Sequence, residues 1–202
     1  MSQAVVIDFV AQAPRPPPAP REMRLVSRCL EILFLVLAVG FGLVGAVVIL
    51  DFIVPFTGNF IAEGPAGGIM TIGPRPLPPN YVTVGAMPLV QRLAHVPAGI
   101  VYVAPIVLLF WSLRRLFGLY AVGVVFAPEN ARSLKLIGAA LIVIAVSPWL
   151  RHTFLSSFHV AVDQAWMSAS SLQALILGVV VYVIAQVMQL GRELEEERSQ
   201  FV

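Results

Sequence analysis

Charge is what this sequence has least of. Only 12% of its 202 residues are Asp, Glu, Lys or Arg, and 58% are hydrophobic. A soluble domain carries about 25% charged and about 45–50% apolar residues. A fold in water would have too few polar groups to cover its surface, and a mean hydropathy of +0.88 points the same way. There is one cysteine, Cys29, which excludes an internal disulfide and a cysteine-based metal site or redox pair within one chain. At the start of the first apolar run it reads as a small residue at a helix entrance, ahead of a palmitoylation site. Net charge is only +2, and the Lys and Arg residues sit in short clusters beside apolar runs. With no basic stripe, direct nucleic-acid binding is not expected. The first 29 residues are polar and Pro-rich, and the apolar run after them is too long for a signal h-region, so no cleavable signal peptide is expected.

What is present instead is four long apolar stretches, at about 30–54, 97–113, 134–150 and 170–190. About 20 apolar residues cross a hydrocarbon core of roughly 30 Å. The expected fold is therefore an all-α membrane protein with four transmembrane helices. A Pro-rich tail (1–29) precedes the transmembrane domain (30–191), and a charged tail (192–202) follows it. In the first tail, Pro14, Pro16, Pro17, Pro18 and Pro20 impose extended geometry and remove backbone donors. Arg15 within this tract would suit an SH3-type ligand, but a flexible leader is the simpler reading.

Pro55 ends the first span. Inside that span, Ala38, Gly42 and Ala46 recur every four residues, which puts small side chains where a neighbouring backbone can come close. The connection 56–96 is rich in Gly and Pro. A short β-hairpin is expected in this first outer loop, pairing 69–72 with 81–84 across a turn at 73–80. Residues 87–95 read as a brief interfacial helix opened by Pro88. In the second span Pro105 should free the carbonyl of Val101 and bend the helix. Arg114 and Arg115 mark a boundary, and 116–127 is apolar but too short to span. Pro128 suits the first position of a helix and Glu129 favours its positive end, leading into the third span. Phe154, Phe158 and Trp166 lie in the connection that follows. Ser168 or Ser170 can cap the fourth span, where Ala174 and Gly178 repeat the small-residue spacing. Arg192 and Glu196 support a helical continuation past the membrane.

The positive-inside rule assigns the sides. Ten basic residues lie in the two tails and the middle loop: Arg15, Arg21, Arg24, Arg28, Arg114, Arg115, Arg132, Lys135, Arg192 and Arg198. Arg75, Arg92 and Arg151 are the three in the other connections. Both termini and the middle loop are expected to be cytoplasmic.

The middle loop and the chain's end carry a resemblance. Tyr120-Ala-Val-Gly123-Val-Val-Phe126-Ala-Pro-Glu129-Asn130, followed by Leu134 and Gly138, is one motif. Val187-Met-Gln-Leu-Gly191-Arg-Glu-Leu194-Glu-Glu-Glu197 is the other. Both resemble the YoaS-like family of uncharacterised bacterial four-span membrane proteins, a domain-of-unknown-function family. The ending Arg198-Ser-Gln-Phe-Val202 departs from that family's usual acidic residue and Thr-Val pair. The resemblance implies a multi-pass protein of the bacterial inner membrane whose gene often neighbours that of a small helix-turn-helix regulator. It implies no activity.

No Asp, Glu, Lys, Arg or His falls in the middle of any span. Such residues mark proton relays and ion pathways, so a proton-coupled transporter is disfavoured. Asp51 and Glu31 lie at opposite ends of the first span. Tyr102, Ser112, Ser147, Gln173, Tyr182 and Gln186 are the polar groups within the spans, and Gln186 could hydrogen-bond across helices. All three histidines, His95, His152 and His159, fall on the outer side. His152, His159 and Asp163 form a weak candidate metal set, because imidazole and carboxylate suit zinc, but their spacing matches no metalloenzyme motif. No catalytic residue and no cofactor is expected.

The strongest interaction candidate is the segment bearing Tyr120, Gly123, Phe126, Glu129 and Asn130. Its plainer reading is a loop closed by a helix cap. Three functions remain in order of preference. The first is a non-enzymatic anchor, sensor or interaction protein with a cytoplasmic protein partner, such as a helix-turn-helix regulator. The second is a small transporter or lipid-binding bundle. The third is a membrane metalloenzyme. Membrane lipids are partners in every case, and the small-residue faces also allow a homo-oligomer.

Overall fold

The structure, a computed structural model, describes residues 21–56, 62–63, 82–123, 128–158 and 168–199. It contains four long helices: α1 (Arg21–Ile53), α2 (Leu89–Ala121), α3 (Pro128–Ser156) and α4 (Ala169–Ser199). All four are long and apolar enough to cross a membrane. A two-residue antiparallel pair, β1 (Ala62–Glu63) with β2 (Val82–Thr83), lies between α1 and α2, with Ala62 opposite Thr83. β2 falls in the segment expected to form the hairpin's second strand. The first strand expected, 69–72, and the turn 73–80 lie outside the described residues.

Helix ends follow local chemistry. α1 begins at Arg21, where the proline tract stops, inside the stretch read as a tail. Glu22 sits in its first turn, and the Arg28 guanidinium pairs with Glu31 at 2.9 Å. The helix ends before Pro55. Its last turn closes with the Val54 N–H donating to the Leu50 carbonyl at 2.8 Å, and the Phe56 N–H donates to Asp51 Oδ1 at 3.0 Å. α2 absorbs the interfacial helix expected at 87–95 and most of the apolar segment after Arg115. Pro88 is its N-cap, and it runs on through both Pro97 and Pro105. It stops at Gly123, whose φ of 84° is left-handed and whose N–H donates to the Tyr120 carbonyl at 3.0 Å. A side chain there would be strained, which is why glycine closes this helix. Pro128 is the first residue of α3, where its missing N–H costs nothing. Ser168 Oγ accepts the Ser171 N–H at 3.4 Å at the start of α4, the role expected of Ser168 or Ser170.

Packing runs in chain order: α1 on α2, α2 on α3, α3 on α4. Among the described residues α1 and α4 make no comparable contact with each other, so each edge helix is buried along one seam. On α1 that seam holds Ala38, Gly45 and Phe52, seven residues apart. On α4 it holds Gly178 and Ala185. Elsewhere on the edge helices Leu33, Val36, Leu43, Val179, Val183 and Val187 are exposed. Lipid solvates such a surface; water would not. Phe34 stacks on Phe110 and Phe117 at ring-centroid distances of 6.3 and 5.5 Å, and Phe41 meets Phe110 at 5.5 Å, knitting one half of the α1–α2 seam.

Candidate functional site

Two helix pairs position everything polar. At the end of the molecule opposite the termini, α1 and α2 bury Asp51 and His95, which are 1% and 3% exposed. The His95 ring lies flat on Phe52, with centroids 4.5 Å apart and planes 13° off parallel. Its Nδ1–H donates to the Gln91 carbonyl at 2.9 Å. This satisfies a core histidine and holds the outer ends of α1 and α2 together. His152, the weak metal candidate on α3, is half-buried. His159 and Asp163 lie outside the described residues. No cluster of three or more metal-ligating side chains exists among the described residues.

The second locus is the pairing of α3 with α4. Gly138 and Gly178 touch backbone to backbone. A Cβ at Gly138 would sit 2.8 Å from the Gly178 carbonyl oxygen and the Tyr182 nitrogen, and one at Gly178 would sit 2.9 Å from the Gly138 carbonyl oxygen. Only two glycines allow this approach. On either side of the crossing the helices leave a cleft. Toward the end opposite the termini the cleft is apolar, about 570 Å³, and lined by Ala145, Val146, Trp149, Leu172 and Leu175 with Ser168, Ala169 and Ser171. Toward the termini it is polar, about 420 Å³, and lined by Pro128, Ala131, Arg132, Lys135, Gln189, Arg192 and Glu193. The Lys135 ammonium donates to Gln189 Oε1 across the helix pair. Gln189 Nε2 in turn donates to Glu193 Oε1 at 3.1 Å. Three cations thus face one carboxylate where α3 begins and α4 ends.

The residues singled out from sequence are distributed as follows. Tyr120 is half-buried near the end of α2, Gly123 forms its stop, Glu129 is exposed in the first turn of α3, and Phe126 lies outside the described residues. Asn130 is fully buried, so it serves packing at the head of α3 and presents no surface. Ala38 is buried and Gly42 lies 3.8 Å from Val107. Ala46 departs from expectation: it is exposed, and Gly45 takes the seam, its Cβ position 2.5 Å from Val103 Cγ1. A four-residue spacing drifts off a packed face, and a seven-residue spacing stays on it. Ala174 is half-buried beside Gly178 on the α4 seam. Gln186 bonds to Tyr182 Oη at 3.3 Å within its own helix, and no cross-helix bond from it is present among the described residues.

Gly45, Gly138 and the basic cleft were not singled out. Ala131, Gly138 and Ala145 recur every seven residues and carry the signal for the α3–α4 seam. The cleft joins residues more than fifty positions apart, and no local pattern signals it.

Fold and site define a multi-pass helical membrane protein whose chemistry is gathered at the helix ends. Residues 81–200 match the family described as "Protein of unknown function (DUF2975)", which is more than half of the chain, and the chain belongs to that family. No curated protein and no solved structure matches it significantly.

Proposed function

We propose that this protein is a non-enzymatic membrane anchor or sensor that works through partners at the membrane face carrying both termini, and that this face is cytoplasmic. One observation carries the reading. Ionisable groups are missing from the middle of every span, whereas the start of α3 and the end of α4 bring Arg132, Lys135, Arg192 and Glu193 together on one face. The exposed Glu129 side chain and the helical extension of α4 to Ser199 stand beside them. The ten-to-three bias of basic residues supports the cytoplasmic assignment, and the YoaS-like resemblance supports a bacterial inner membrane and a helix-turn-helix regulator as the partner. The residues that motivated a transporter have packing roles: Pro105 is buried within an unbroken α2, and Gly42 lies against α2.

Site-directed photocrosslinking from positions 129, 132 and 193 in native membranes tests the reading. The expected result is one discrete protein adduct that disappears when residues 193–202 are replaced by an unrelated polar sequence. No adduct from any of the three positions, together with an unchanged phenotype after the replacement, would overturn it.

A further inference from the structure

We infer that the polar cleft between the start of α3 and the end of α4 is a binding site for the phosphodiester headgroup of an anionic phospholipid. The cleft takes Arg132 and Lys135 from one helix and Arg192 from the other, against the single carboxylate of Glu193. That carboxylate already accepts a hydrogen bond from Gln189, and Gln189 also accepts one from Lys135. The floor of the cleft is thereby ordered, with an excess of positive charge. Pro128 opens α3 at its rim, so the positive end of that helix dipole faces the same space. The volume of about 420 Å³ accommodates a phosphodiester with a small polar head.

Its position selects a lipid over a soluble anion. One residue beyond the cleft on each helix, Leu136 and Leu190 are exposed apolar side chains, and Val187 follows on α4. A headgroup in the cleft would lay its acyl chains along this flank. Basic pockets between helix ends at the membrane surface are suited to anionic headgroups, and each cation contributes about 1 kcal/mol. The cleft exists because Gly138 and Gly178 pin the two helices at one point and let them separate beyond it. The inference shares only the choice of membrane face with the function proposed above.

The test uses the full chain in a zwitterionic detergent and measures the dissociation constant of short-chain phosphatidylglycerol, with short-chain phosphatidylcholine and inorganic phosphate as comparators. Arg132→Gln, Lys135→Gln and Arg192→Gln should each weaken phosphatidylglycerol binding about fivefold, and together roughly a hundredfold. The charge-matched triple Arg21→Gln, Arg114→Gln, Arg115→Gln lies on the same face outside the cleft and should leave binding unchanged. Should the cleft triple fail to fold, the three single variants carry the measurement. Equal losses in both triples would reduce the effect to surface charge and overturn the inference. So would phosphatidylcholine binding as tightly as phosphatidylglycerol, or inorganic phosphate binding as tightly as the lipid. Failure of these arms leaves the photocrosslinking result intact, so the two readings fail separately.

Discussion

The glycines of this chain divide sharply by what surrounds them, and single substitutions expose the division. A methyl at Gly138 would meet backbone atoms of α4 at 2.8 Å, and backbone cannot rotate out of the way. Gly138→Ala should therefore destabilise the protein by about 1–3 kcal/mol, the range of overpacked cores, read as a lowered melting midpoint in detergent. Gly40 has nothing within 4 Å of its Cβ position, so Gly40→Ala should be neutral or stabilising by up to about 1 kcal/mol through helix propensity alone. Comparable shifts from both would contradict the helix crossing. Asp51 supplies a second test. Its buried carboxylate accepts the Phe56 N–H as the chain turns away from α1. Asp51→Ala should cost about 1.5–3 kcal/mol, as for other hydrogen bonds to charged groups, while Asp51→Asn keeps an acceptor oxygen and should recover much of the loss. At this scale the sequence is only partly legible. Gly178 and Ala38 can be named from their small-residue spacing. Gly45 was passed over in favour of Ala46 because the four-residue repeat looked regular, although helix geometry carries that repeat off the seam.

At the scale of the helix, length and hydropathy suffice to find all four elements, because a bilayer demands long apolar runs and little else does. Their ends are less legible. α1 begins at Arg21 and α2 at Leu89, well outside the apolar cores, since charged and mixed turns extend a helix into the interface without any hydropathy signal. Pro97, Pro105 and Pro148 all lie inside helices, where proline alone would suggest boundaries in a soluble chain. The pairing of helices was beyond the sequence. Its consequence is an open series in which α1 and α4 occupy opposite edges, and this is testable in a Cys29→Ser background. Lys135→Cys with Gln189→Cys, whose native side chains bond across α3 and α4, should be bridged within one chain by a short bis-maleimide. Leu33→Cys with Leu190→Cys, on the exposed faces of α1 and α4, should not be bridged within one chain. Efficient intramolecular bridging of the second pair would mean that the helices close into a ring.

For the whole molecule, sidedness decides how the helix ends can be used. Four spans place the start of α1, the α2–α3 connection and the end of α4 on one side. The contacts agree, because Glu31 of α1 lies beside Gly118 near the end of α2, and Lys135 near the start of α3 reaches Gln189 near the end of α4. Ten of the thirteen basic residues belong to that side, and such a bias fixes orientation during insertion whatever the carboxylates do. Glu22→Cys and Ser168→Cys, each in a Cys29→Ser chain, sit on opposite sides, at the first turn of α1 and immediately before α4. A membrane-impermeant maleimide should label Ser168→Cys in right-side-out vesicles and reach Glu22→Cys only after permeabilisation. The reverse pattern would leave every helix contact unchanged, yet it would move the basic cleft to the outer surface, away from cytoplasmic partners. Labelling of both positions without permeabilisation would instead break the four-span topology, since Glu22 and Ser168 can share a side only if one helix fails to cross.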